Sequence, residues 1–173
     1  MVAGGVVVCL LGPLAALGIY GVRKYIAAAK TAEAKNGVNA ISRAAVAAYE
    51  RDTLVGDRVA HLLCASATPV PGVIPKGRRY QPSSARGTDF QTGDANGGWY
   101  CLRFEMSEPM SYQYRYERGA GTGKSGATAN GFEASARGDL DADGVSSLFA
   151  RGGNVVAGAV VMSTNLYIEN EFE

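Results

Sequence analysis

The stretch Met1–Asp52, MVAGGVVVCLLGPLAALGIYGVRKYIAAAKTAEAKNGVNAISRAAVAAYERD, decides how the rest of the chain is read. No charged side chain precedes Arg23, and Val6, Val7, Leu10, Leu14, Leu17 and Ile19 leave residues 1–22 apolar on every side. Roughly 20 apolar residues match the hydrocarbon thickness of a bilayer, and Arg23 and Lys24 stand where a membrane segment would stop. From there Ile26, Ala29, Val38, Ile41, Ala45, Ala48 and Tyr49 recur at three- and four-residue steps, the period of a half-buried helix. The expectation is one helix, with an apolar front half in lipid and an amphipathic back half lying on a domain.

Simpler explanations of the apolar start fit less well. A secretory signal peptide carries a basic segment ahead of its apolar core, and nothing basic precedes Arg23. A lipoprotein anchor at Cys9 would want a small residue before it, where Val8 stands. A plain single-pass anchor tethering an unrelated domain is the remaining alternative. Thr53–Glu173 is long enough for one domain with a modest core and too short for two. The formal net charge is +1, so no basic field argues for nucleic acid. Within that balance the helix from Arg23 to Asp52 carries six basic and three acidic residues, and the globular part eleven and thirteen. The basic residues just past the apolar run suit lipid headgroups or acidic patches on neighbours, or simply a solvated face.

Past the helix, the period changes from 3.6 to short β runs separated by turn residues. The segment from Pro69 to Gly77 and that from Pro82 to Gly98 read as loops. Strands are expected at Gly98–Met106, Ser111–Arg118, Gly131–Arg137 and Gly144–Ala150, with a last one between Val155 and Ile168. Tyr112, Tyr114 and Tyr116 alternate with Gln113, Arg115 and Glu117, giving one aromatic and one polar face. The fold class is therefore α+β: a long N-terminal helix (residues 1–52) packed on a small antiparallel β domain (residues 53–173). Trp99, beside Tyr100 and Cys101, is expected to cap the core without a ligand role.

Three features could carry chemistry. Cys9 reads as a small buried hydrophobe. Cys64 and Cys101 are the available pair in an oxidising compartment, closing a loop worth about 3–4 kcal/mol in the chain-entropy model; two free buried thiols are the alternative. His61 is the sole histidine, which leaves little for zinc or for a Cys–His nucleophile. GAGTGKS at Gly119–Ser125 approaches a phosphate-binding loop, but Arg118 stands where its first glycine belongs and no helical pattern comes after it, so a hairpin loop is expected. In GDLDADGVSS, Asp139, Asp141 and Asp143 alternate ahead of Gly144. Such carboxylates can surround calcium, with backbone carbonyls or Ser146 completing the shell. Ala150 occupies the twelfth position, where an EF-hand needs glutamate, and Asp and Gly are also ordinary turn residues. No cofactor is required by the pattern beyond this candidate calcium. No general acid or nucleophile constellation accompanies it, so no enzyme is expected.

The run LAALGIYGVRKYIAAAKTAEAKN (Leu14–Asn36), followed by the alanine-rich Val38–Glu50, resembles the N-terminal helix of type IV pilins and pseudopilins, in particular the pilin-like fimbrial proteins of myxobacteria and related deltaproteobacteria with an IYGVRKY segment. The likeness covers about fifty residues, with Tyr20 where that family's apolar segment ends. It implies a structural subunit of an extracellular surface filament of a Gram-negative bacterium. That subunit would be drawn from an inner-membrane precursor pool by pilus or secretion assembly machinery into a homopolymer of identical copies. The helix residues Val6, Val7, Leu10, Leu14, Leu17, Ile19 and Tyr20 would form the filament core. The chain departs from the family in lacking a glutamate near its start: Gly5 or Ala3 fills that slot, according to the alignment. This departure keeps open a pseudopilin or minor tip subunit of a type II secretion-like machine. From other classes, a membrane-anchored periplasmic binding domain and an anchored hydrolase are the alternatives.

Overall fold

The residues Thr31, Ala34, Val38, Ile41, Ala45 and Ala48 step along one side of a helix at intervals of three and four, and this whole stripe is buried. A computed structural model describes the chain from Ala3 to Glu173, with side chains from Gly21 onward apart from those of Arg23, Lys24, Ala27 and Val55. Helix α1 (Ala3–Tyr49) packs its stripe against antiparallel strands, so the chain is α+β. Ile26 and Ala29, part of the expected apolar series, are exposed, and burial starts at Thr31. The apolar segment expected within residues 1–22, with Val6, Val7, Leu10, Leu14, Leu17, Ile19 and Tyr20, falls on side chains outside the described ones, as does Cys9. Among the described residues no helix is long and apolar enough to cross a membrane.

The principal sheet holds β3 (Gln113–Arg118), β4 (Gly131–Gly138), β5 (Ser147–Val156) and β6 (Ala159–Met162) in that order, all antiparallel. Strand β7 (Tyr167–Glu169) pairs with the first part of β5, at Leu148–Ala150, while β6 pairs with its second part, at Gly153–Val156. Both short strands therefore share one edge of β5. The β5–β6 turn is two residues, Ala157 and Gly158, with φ of 51° and 82°, the doubly positive geometry that suits a tight hairpin. The opposite edge, on β3, is covered by the segment after Cys64: Val70 and Tyr114 exchange backbone hydrogen bonds of 2.9 and 2.7 Å, and Ala67 donates to Tyr116. Covering that edge removes a template for strand addition.

Register explains how the helix sits. Tyr114 stands opposite Ala136 and Tyr116 opposite Ala134, while Phe149 stands on the other side of Ala136. The alanines of β4 leave a trough between aromatic rows, and α1 lies over it. Gly37 completes the fit, because a Cβ there would stand 2.7 Å from Tyr114 Cζ. The Tyr114 hydroxyl donates to the Glu33 carbonyl at 3.3 Å. Glu33 also accepts from Ser111 N at 2.6 Å, Arg151 donates to Asn39 Oδ1 at 2.7 Å, and Lys35 pairs with Glu171 at 2.6 Å. Residues 31–39 are thus tied to three separate parts of the sheet domain.

Two expectations need correction. Gly98–Met106 does not form a strand: residues Gly98–Leu102 form a short helix, α2, followed by Arg103 at φ 54°. Trp99 and Leu102 share its inner side while Tyr100 is exposed, a three-residue spacing that a short apolar run cannot distinguish from a strand by pattern alone. The final strand, expected between Val155 and Ile168, is two strands, β6 and β7. A small hairpin, β1 (Thr53–Val55) with β2 (Arg58–Ala60), was not expected, although Gly56–Asp57 between them is a two-residue hairpin turn signal. Trp99 does cap the core: it packs against Phe90 and Phe104 with ring centroids 5.0 and 5.6 Å away, and its indole N–H donates to Thr68 O at 2.8 Å.

Candidate metal centre

Strands β4 and β5 are joined by the acidic run, and the way they meet places its carboxylates. Gly138 pairs with Ser147, whose hydroxyl donates back to Gly138 O at 3.1 Å, so the residues between them form a closed loop. The loop turns at Ala142 (φ 66°) and Gly144 (φ 97°). From the side, Gly77 N donates to Asp139 O at 2.8 Å, which fixes the backbone at the first aspartate. The flanking elements are the strands β4 and β5, not the helices of an EF-hand.

Ligand atoms of Asp139, Asp141 and Asp143 lie within 4.8 Å of one another. Two oxygens on one calcium ion are at most about 5 Å apart, since each bond is 2.3–2.6 Å, so the separation suits one hard cation. Asp141 Oδ1 accepts from Asp143 N at 3.3 Å and Asp143 Oδ1 from Val145 N at 2.7 Å. These bonds are those of ordinary Asx turns. Asp139 differs: only 2 % of its surface is exposed, Oδ2 accepts from Gly144 N at 3.2 Å, and buried Oδ1 has no hydrogen-bond partner. Buried polar atoms are nearly always satisfied. Among the described residues no lysine or arginine forms an ion pair with any of the three aspartates.

The segment after β7 runs toward this loop, although Glu173 at its end is not among the residues whose ligand atoms cluster there. Leu148 pairs with Glu169 in the β5–β7 ladder, so the chain after β7 runs antiparallel past the start of β5 toward the acidic loop. Asn170 Nδ2 donates to Ser146 O at 3.4 Å, which fastens that course. Glu173 Oε2 is a buried oxygen without a partner. Desolvation first, then the charges of Asp141, Asp143 and Asp139, raise the Glu173 carboxyl above its ordinary pKa.

The other sequence features have non-catalytic settings. Cys64 and Cys101 form a disulfide with Cα atoms 5.9 Å apart, which removes Cys64 as a nucleophile; His61 lies instead near the Tyr49 ring, 5.9 Å between centroids. GAGTGKS is the β3–β4 loop, as expected, and it is organised around an anion from its own chain. Glu133, 1 % exposed on β4, accepts from Thr122 N at 2.9 Å, Thr122 Oγ1 at 2.8 Å and Ser125 Oγ at 2.7 Å. Thr122 N and the Thr122 and Ser125 hydroxyls are thus committed to this carboxylate. Gly121, at φ 56°, allows that approach, since a Cβ there would stand 2.6 Å from the Glu133 side chain. A separate open groove of about 1070 Å³ runs beside the disulfide, bordered by Arg51, Leu63, Tyr100, Arg103 and Arg118. Compared with known protein families, curated proteins and solved structures, the chain matches none.

Proposed function

We propose that this chain is a structural subunit of an extracellular type IV pilus-like filament, assembled through its N-terminal helix and without catalytic activity. The observation that carries this reading is the burial boundary on α1. From Thr31 the helix is fastened to the sheet, whereas just before it Val22, Tyr25 and Ile26 are 58 %, 77 % and 49 % exposed. The uncharged run 1–22 precedes them in the sequence. Large exposed apolar side chains in series mark an interaction surface, and a helix that presents them outside its own domain suits bundling with identical helices. The apolar front half, with Val6, Val7, Leu10, Leu14, Leu17, Ile19 and Tyr20, is the filament-core segment in this reading. Burial there at about 25 cal/mol per Å² drives assembly, offset by the entropy of association. Before assembly the same segment holds the subunit in the inner membrane of a Gram-negative cell, where pilus or secretion machinery extracts it.

A second reading, a pseudopilin or tip subunit, is favoured by one observation: neither Ala3 nor Gly5 supplies a carboxylate. Electron microscopy of material sheared from expressing cells, with mass spectrometry of the intact subunit, tests both. Thin uniform filaments made of this chain support the polymer, and Leu14→Asp should abolish them. Short complexes containing a few copies among other subunits favour the tip. If the chain stays monomeric in the inner-membrane fraction, the filament reading fails, and an anchored binding domain using the Arg51–Arg103–Arg118 groove takes its place.

A further inference from the structure

We infer that the free edge of β6 docks a second copy of this chain, the two β6 strands pairing antiparallel about a two-fold axis at Val161. The two edges of the principal sheet are treated differently. The edge on β3 is covered through the backbone bonds of Ala67 and Val70, whereas β6 pairs, among the described residues, with β5 alone. The direction of its free groups follows from the turn. Val156 and Ala159 flank the two-residue turn and so exchange both backbone bonds, as do Asn154 and Val161 two residues further on. Val160 and Met162 stand in the alternating pairs and direct their N–H and C=O away from β5. Ser163 N, which donates to Gly152 O at 2.9 Å, keeps the same alternation. Among the described residues no other backbone group bonds to these outward donors and acceptors.

The chemistry of the edge selects a copy of the same chain as its occupant. Exposed edges are ordinarily protected against their own kind by charge, proline or a bulge. From Gly152 to Ile168 there is no charged residue and no proline, so nothing on this hairpin repels an identical one. The small β1–β2 hairpin, by contrast, carries Asp57 and Arg58, and β7 ends at Glu169. The outward groups are also self-complementary. Pairing about Val161 sets Val160 of each copy against Met162 of the other, and each of these pairs exchanges both backbone bonds. Val161 then faces its own copy in the close, non-hydrogen-bonded position, with Cα atoms about 4.5 Å apart. Its side chain, 55 % exposed, is covered there by an identical one. Because β6 has four residues, the pairing is reversible and depends on protein concentration. A two-fold contact of this kind is isologous and closes as a pair instead of propagating, so the inference is independent of what the stem assembles with.

The test is disulfide trapping in the detergent-solubilised full chain carrying Cys9→Ser, which leaves Cys64 and Cys101 bonded to each other. Val161→Cys should yield covalent dimers under mild oxidation, since a disulfide spans Cα atoms about 4.4–6.8 Å apart. Val156→Cys is the control: Val156 is 54 % exposed but lies on β5, one strand in from the edge, and should trap at least tenfold less dimer. Without the added cysteine, the amides of Val160 and Met162 should exchange more slowly as protein concentration rises. Val161→Lys, which sets two like charges opposite each other on an exposed face, should abolish that dependence while leaving the circular dichroism spectrum unchanged. No trapping at Val161→Cys, equal trapping at both positions, or exchange at Val160 and Met162 that ignores concentration overturns the paired edge. A Val161→Cys cross-link formed in cells solely to a different polypeptide overturns the choice of a second copy.

Discussion

Replacing Gly37 with alanine should destabilise the domain, although glycine to alanine in an unobstructed helix interior gains about 1 kcal/mol. The reversal comes from Tyr114. The added methyl would lie 2.7 Å from Cζ and 2.8 Å from the phenol oxygen, whereas carbon contacts relax near 3.5–4.0 Å. The ring must therefore retreat by about 1 Å, or the helix must lift. Overpacking of this kind costs about 1–3 kcal/mol, and displacing the hydroxyl from the Glu33 carbonyl adds about 1 kcal/mol. After the helix gain is subtracted, the net loss is about 1–3 kcal/mol. Urea denaturation followed by circular dichroism in detergent would measure it. The decisive comparison uses a Tyr114→Ala background, where the obstruction is gone and Gly37→Ala should become stabilising by up to about 1 kcal/mol. Gly21, with nothing within 4 Å of a Cβ, supplies a control that should gain in both backgrounds. If Gly37→Ala stabilises the parent as much as it stabilises the Tyr114→Ala variant, the account of helix docking through this glycine is wrong.

Buried polar groups give two further outcomes. Glu133→Gln replaces an acceptor of three donors by a group that must turn a donor toward some of them; it should cost about 1–3 kcal/mol and speed proteolysis within residues 119–130, and unchanged loop proteolysis would refute the anchoring role. Burial raises the pKa of Tyr112, Tyr114 and Tyr116 above the ordinary phenol value, with the Glu33 charge adding to the shift at the first two. Their folded pKa exceeds the unfolded one, so their contribution is fully present below about pH 10 and declines as alkali draws protons from the unfolded chain. In an alkaline titration followed by phenolate absorbance, these three of the nine tyrosines should ionise only with unfolding. Ionisation of all nine while the fold persists would contradict their burial.

The parts of the fold legible in the sequence were those with a period. Val38, Ile41, Ala45 and Ala48 announced the helix face because a long amphipathic helix repeats its signal many times. Tyr112, Tyr114 and Tyr116 announced β3 because alternation over six residues has no helical counterpart. GAGTGKS was recognisable as a loop because Gly126–Gly131, rich in small and polar residues, carries no helical pattern. The helical turn at Trp99–Leu102 was not, since a few apolar residues fit either period and the disulfide and aromatic packing decide the outcome. At the candidate centre, the three aspartates were visible as neighbours in sequence. The course of the segment after β7 toward that loop was not, because it depends on β7 pairing with the first half of β5 while β6 takes the second, a division of one strand edge that no residue pattern marks. The structural burial of Glu133 was equally hidden, for a lone glutamate in a strand resembles any solvent-facing residue until the loop folds over it.

The side-chain ties along the buried part of α1 also have a mechanical meaning. Glu33, Lys35 and Asn39 are held by Ser111, Glu171 and Arg151, which lie on different parts of the domain. A pull along the helix axis loads these bonds side by side, together with the packing of Tyr114 against Gly37, so they must yield together. A pull across the axis would open them one after another. The junction is therefore built to bear tension directed along the stem and to give way to peeling.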